Sequence, residues 1–149
     1  MLTDADMPNG YVLEIATLEE LAISDQGNDR IRLEAYITDG VLRYKVDARD
    51  PDDGSRGYVR GKVLCDLMLS HYGNRVVMIA GFWVKGDNLR LFNQHTALGL
   101  TKVEAASKTW TGIQAARYGF TVVKVDESIG GDGAYGWVRV FYTRPEVIA

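Results

Sequence analysis

The longest unbroken apolar run in the chain is Val76-Val77-Met78-Ile79-Ala80-Gly81-Phe82-Trp83-Val84. A short run of this kind predicts a strand buried on both faces, central in a sheet with helices packed over it. Elsewhere the pattern alternates. Ile31, Leu33, Ala35 and Ile37 are interleaved with Arg30, Arg32, Glu34 and Tyr36, and Asp39-Gly40 supplies a two-residue turn. Leu42, Tyr44, Val46 and Ala48 then alternate with Arg43, Lys45, Asp47 and Arg49. Together these predict a hairpin with one face on the core and the other toward water or a partner. Residues 11–16 read as a short strand, and residues 18–23 fit a turn of helix or a second strand equally well. Residues 1–10 are polar and read as loose.

Helical spacing appears three times. Leu64, Leu67, Met68 and His71 share one face of a helix predicted over residues 62–72, which Gly73 is placed to end. His71, near that end, is suited to interact with the helix dipole. Asp87 is expected to cap a second helix over residues 88–98, closed by Gly99. Thr101 and Glu104 form a capping-box pattern that opens a third helix. Its seam is Val103, Ala106, Trp110 and Ile113, and it ends at Tyr118-Gly119. Strands at 120–125 and 135–143 follow, separated by a glycine-rich loop at 129–134, with Pro145 as a stop. The expected fold is α+β: a mixed, mainly antiparallel sheet of about six or seven strands with three helices on its faces. It is expected to form one domain across residues 1–149. Ligands in such sheets lie near the carboxyl ends of central strands, here residues 48–62 and 84–88.

Composition changes this picture little. A chain of 149 residues with 46% hydrophobic and 25% charged residues is of ordinary globular make-up. Net charge of −3 argues mildly against a nucleic-acid binder, although a local basic patch survives an acidic total. Cys65 is the only cysteine, so no intramolecular disulfide forms. Its place in an apolar helical pattern fits a buried thiol. No secretory leader is visible and no apolar run reaches membrane-span length, so a soluble, cytoplasmic protein is expected, secretion by a dedicated machine aside.

Three groups of residues carry candidate chemistry. The loop Arg56-Gly57-Tyr58-Val59-Arg60-Gly61-Lys62 combines glycines and three cations at a helix start, which suits a phosphate or pyrophosphate. Its bland reading is a mobile basic loop balanced by Asp50, Asp52 and Asp53. Trp83, Asp87, Asn88, Asn93 and His95 cluster in sequence just past the central strand. Their bland reading is a tight turn with a cap. Thr109-Trp110-Thr111-Gly112 with Gln114 places two threonines and a glycine inside a helix. This breaks a local rule, as close packing or a functional surface does. No residue spacing resembles a metal site, and no nucleophile has an evident base.

Two resemblances bear on function. From Arg30 onward the order of elements resembles the core of GNAT-type N-acetyltransferases. There, residues 56–62 stand at the acyl-CoA pyrophosphate loop and Gly119-Phe120 at the family's Gly-Phe. Ala115 occupies the position of the family's general-acid tyrosine. That resemblance implies an N-acyltransferase with acyl-CoA bound through Arg56, Gly57, Arg60, Gly61 and Lys62. Separately, Gly86-Asp87-Asn88-Leu89 with Phe92-Asn93, Thr109-Trp110-Thr111-Gly112 and residues 115–120 resembles C-terminal tip domains of bacterial polymorphic toxins. It implies an effector domain acting on an anionic small molecule or RNA. Asp87, Asn88, Asn93, His95, Thr109, Thr111 and Gln114 would then be its catalytic set. A third reading is a module that binds a protein partner through the exposed hairpin face.

Overall fold

The computed structural model describes residues 1–128, 130 and 134–144. The chain is of the α+β class, with seven strands and four α-helices among the described residues. It divides into two compact units, Met1–Val76 and Val77–Ala149.

The first unit is an antiparallel meander of β1 (Tyr11–Ala16), β2 (Glu20–Asp25), β3 (Asn28–Thr38) and β4 (Val41–Asp47), followed by helix α1 (Gly61–Tyr72). The ambiguous segment after β1 is therefore a strand. The Asp39-Gly40 turn has the expected geometry, with φ of 51° and 77° at its two residues. Leu21, Ile23, Ile31, Leu33 and Leu42 are almost wholly buried, as are Leu64, Cys65 and Met68 of α1. The opposite strand face is polar and pairs with itself. The Ser24 hydroxyl donates to Glu14 Oε1 (2.6 Å) and Arg32 Nη2 to Glu14 Oε2 (2.8 Å). These two bonds hold the Glu14 carboxyl below its usual range, with Ser24 the larger cause.

The end of α1 and the 3₁₀ turn after it, Gly73–Arg75, grip the β1–β2 turn by its backbone. Three successive carbonyls, Thr17, Leu18 and Glu19, accept from His71 Nε2 (2.7 Å), from Arg75 Nη1 and from Tyr72 Oη (2.9 Å). His71 Nδ1 in turn accepts the backbone N–H of Leu2 at 3.2 Å. His71 thus acts sideways between segments rather than on the dipole of its own helix. The amino terminus is also not loose throughout. Leu2 is buried, and Thr3 and Asp6 close a capping box over a 3₁₀ turn at Asp4–Asp6.

The second unit holds β5 (Met78–Trp83), α2 (Asp87–Ala97), α3 (Lys102–Ser107), α4 (Trp110–Arg117), β6 (Thr121–Glu127) and β7 (Val138–Thr143). Strand β7 pairs antiparallel with both β5 and β6. Ile79, Trp83, Phe92, Phe120, Val138, Val140 and Tyr142 form its core with Ala105 and Ala106 of α3 and Ala115 of α4. The apolar run is not buried on both faces as its composition suggests. Ile79 is buried, while Val77, Phe82 and Val84 are 66%, 58% and 55% exposed. The helix expected over 101–118 is two helices. Lys108 and Thr109 break it, because Thr109 leaves the helical conformation (φ −72°, ψ 164°) to cap a new one. The predicted seam shifts accordingly: Ala105, Ala106, Thr111, Gly112 and Ala115 are buried, whereas Val103 and Ile113 are exposed. Gly119, with φ of 82°, and Phe120 end α4, their N–H groups donating to Ala116 and Ala115 at 3.0 Å. The expected loop at 129–134 falls largely outside the described residues, as does Pro145.

Candidate functional site

The residues predicted as a catalytic set in the second unit fall on α2, α3–α4 and their junctions. Gly86, with φ of 88°, turns the chain from β5 into α2. Asp87 is therefore the first residue of the helix and not its cap. It is exposed and lies 3.4 Å from Arg90. Asn88 reaches across to the start of α4. Its Nδ2 donates to Thr111 Oγ1 (2.8 Å), and its Oδ1 accepts the Thr111 N–H (3.1 Å). The Thr109 hydroxyl oxygen accepts the Gly112 N–H (3.1 Å) and donates to the Ala106 carbonyl (2.8 Å). Two of the amides that a helix start leaves orphaned are thereby satisfied by Asn88 and Thr109.

Gly112 completes this junction. A Cβ there would collide with the Ala106 carbonyl oxygen and stand 2.8 Å from that of Ser107. The glycine and threonines in the Thr109–Gly112 segment thus reflect close packing of one helix end on the next. Asn93 works in the same way on a loop. Its amide donates to the Tyr135 carbonyl (3.1 Å) and accepts the Tyr135 N–H (3.0 Å), as a paired strand would. This fixes the Tyr135 ring 5.5 Å from Phe92 in the core. Gln114 Oε1 accepts from Arg117 at 2.6 Å. Only Asp87 and His95 keep side chains without a structural task of this kind. No hydrogen bond joins them among the described residues, so the set contains no assembled proton-transfer pair.

The first-unit loop has the opposite character. The Tyr11 hydroxyl lies beneath it and accepts the backbone N–H of Val59 at 3.3 Å. A Cβ at Gly57 would collide with that hydroxyl and stand 2.8 Å from Ile31, so a side chain there would have to displace the tyrosine or the isoleucine. Burial pushes the Tyr11 phenol up, which keeps it a neutral donor and acceptor. The Gly57 N–H donates to Ala48 (3.1 Å), and Arg49 bridges Arg56. The loop is therefore bolted down, where its composition suggested mobility.

The three acidic residues expected to balance its cations face elsewhere. Asp50 is buried and accepts from Asn28 Nδ2 (2.7 Å) and from the Asp52 N–H (2.8 Å). Asp52 pairs with Arg30, and Asp53 accepts the Ser55 N–H at 2.8 Å. Arg56, Arg60 and Lys62 are exposed and have no carboxylate partner among the described residues. Gly57 and Val59 lie inward and partly covered, while Arg56, Tyr58 and Arg60 alternate outward, Tyr58 at 77% exposure. Arg60 precedes α1 with no side chain capping the helix start, where Gly61 is buried.

Tyr11 was not legible as part of this site. Nothing in the sequence marks a tyrosine on β1, 46 residues from Gly57, as its support. Among the described residues no three potential metal ligands cluster, and no helix is long and apolar enough to cross a membrane. No protein-family model, curated protein or solved structure matches the chain.

Proposed function

We propose that the chain is a binding module for a nucleotide-bearing ligand, held by the first unit at residues 56–62. Phosphates lie against Arg56, Arg60 and Lys62, and Tyr58 offers its ring to a base. The observation that supports this reading is the redirection of Asp50, Asp52 and Asp53 away from cations that the loop displays without partners. Exposed cations beside an aromatic ring are the common equipment for phosphates and bases. A bolted backbone lowers the ordering cost of binding. The catalytic form of an effector-type reading needs Asn88, Asn93, Thr109, Thr111 and Gln114 free, and their hydrogen bonds are already committed internally.

The test is a thermal-shift and calorimetric titration with ADP, acetyl-CoA and a 12-mer oligouridylate. The three share phosphate and base chemistry and differ in the groups attached to it. A rise in Tm with one of them, lost in Arg56→Ala/Arg60→Ala, supports the proposal. Acetyl-CoA alone would select the acyl-CoA form of the site, and oligouridylate with a steep salt dependence the RNA form. A ligand at 100 times its Kd stabilises by about 2.7 kcal/mol, well within reach of the assay. No shift with any of the three, or a shift unchanged in the double variant, overturns it.

A further inference from the structure

Two arginines stand opposite each other where the chain leaves β4 and enters the 56–62 loop. Arg49 and Arg56 form an isolated antiparallel bridge. The backbone bonds lie on either side of it, from the Asp50 N–H to the Ser55 carbonyl (2.8 Å) and from the Gly57 N–H to the Ala48 carbonyl (3.1 Å). No backbone bond joins the pair itself. Arg49 and Arg56 are therefore a non-hydrogen-bonded pair, the kind whose side chains leave the backbone closest together and on one side. Burial agrees with this alternation. Asp50 is buried and Gly57 partly covered, while Arg49 and Arg56 are exposed. Like charges directly opposite each other destabilise a pair of strands. No acidic side chain offsets that cost, because neither arginine has a carboxylate partner among the described residues. Asp50, Asp52 and Asp53 are engaged elsewhere, and Asp47, at the end of β4, lies 3.6 Å from Lys45.

We infer that Arg49 and Arg56 together clamp a terminal phosphate of the ligand, which makes Arg49 an anion-binding residue of the site. The inference rests on the nucleotide-binding reading of residues 56–62 and narrows its ligand to nucleotides that end in a phosphate monoester. Charge and donor count carry the choice. Two guanidiniums supply two positive charges and two donor forks. A terminal phosphate near pH 7 carries a charge of about −2 and three free oxygens, enough to meet both forks. An internal phosphodiester has one charge and two free oxygens, and leaves one arginine largely unmatched. The bridge also fixes the backbone under both side chains before the ligand arrives, so binding orders their rotamers alone.

The test is a calorimetric titration of ADP and of its β-phosphate methyl ester into the full chain and into Arg49→Gln. The ester keeps the base, the ribose and the diphosphate linkage, and loses one terminal charge. The parent should bind ADP at least about tenfold more tightly than the ester, and Arg49→Gln should bind the two alike. A merely structural role for Arg49 would weaken both nucleotides and leave their ratio intact. Because the substitution separates two like charges, the ligand-free variant should unfold at a midpoint no lower than that of the parent. Equal binding of ADP and its ester by the parent, or an undiminished ratio in Arg49→Gln, overturns the inference. If Arg56→Ala/Arg60→Ala still abolishes binding in that case, the nucleotide reading stands without it. Absence of ADP binding overturns it as well. Oligouridylate bound through Arg56 and Arg60 would then keep the earlier proposal, whereas no binding of ADP, acetyl-CoA or oligouridylate ends both.

Discussion

The 56–62 loop and the 87–114 polar set look alike in sequence. Each follows a strand, enters a helix, and mixes glycine with residues that commonly do chemistry. In the structure they are opposites. In the loop, the backbone and its glycines are engaged while the cations face solvent unpaired. In the polar set, the side chains are engaged, and their donors and acceptors replace missing backbone bonds at helix starts and loop ends. A polar residue type at a favoured position is therefore a weak sign of function. What separates the two cases is whether its hydrogen-bonding capacity is already spent.

The comparison is most sharply broken at Gly112. Alanine there drives a methyl group into the carbonyls of Ala106 and Ser107. These are backbone atoms at a helix end, so relief requires moving α3 against α4. We expect a loss of about 3 kcal/mol, the upper part of the range for overpacking, measured by urea unfolding. Asn88→Ala and Asn93→Ala come next. Each leaves a backbone N–H, of Thr111 or Tyr135, without its partner. Each should cost about 1–3 kcal/mol. If either variant instead kept full stability and lost a measurable activity, the structural assignment of that asparagine would be wrong.

The legible and illegible parts differ in how far apart the interacting residues lie. The Asp39-Gly40 hairpin, the Thr101–Glu104 capping box and the Gly73 stop are decided within a few residues, and all three are present. The break between α3 and α4 was also local in its signal. Thr109 three residues before Gly112 is a cap pattern, but the continuing apolar spacing of Val103, Ala106, Trp110 and Ile113 masks it. The exposure of Phe82 and Val84 had no local signal. An apolar run looks the same whether both faces are covered or one. The asparagine bridges span 23 and 42 residues, and the Tyr11 support of Val59 spans 48. No window along the chain reveals such pairings. The candidate loop was thus found by its composition, whereas its rigidity and its lack of acidic partners emerge only in three dimensions.

His71 offers a smaller test, one that depends on proton count. The Leu2 N–H pointing at Nδ1 and the Thr17 carbonyl facing Nε2 define a neutral ring with its proton on Nε2. Burial is the main cause that pushes its pKa below the ordinary 6.5, against the favourable Thr17 carbonyl and with the Met1 amino group and Arg75 reinforcing it. The unfolded chain consequently binds a proton before the folded one does. The stability from this site is complete above 6.5 and is lost as pH falls through the lower folded value. The expected outcome is a urea midpoint that declines between pH 7 and pH 5 in the parent protein. His71→Gln, which keeps a donor toward Thr17 and cannot titrate, should start less stable and lose that slope. An unchanged slope in the variant would assign the pH dependence to other groups.

The smallest expected change in stability is the most informative for function. Arg56 and Arg60 are exposed and make no ion pair among the described residues, and the loop beneath them is held by Tyr11, Gly57 and Asp50. Replacing both by alanine should therefore leave the unfolding free energy within about 0.5 kcal/mol of the parent. Relieving repulsion between neighbouring cations gives any change a slight stabilising sign. Tyr11→Phe is the counterpart. It removes the hydroxyl that accepts the Val59 N–H, keeps every cation, and should cost about 1 kcal/mol. Ligand binding should respond in the other order, abolished by the arginine pair and only weakened by Tyr11→Phe, because the first removes the contacts and the second only their alignment. A loop that served structure alone would show both effects together, with stability falling when the arginines go.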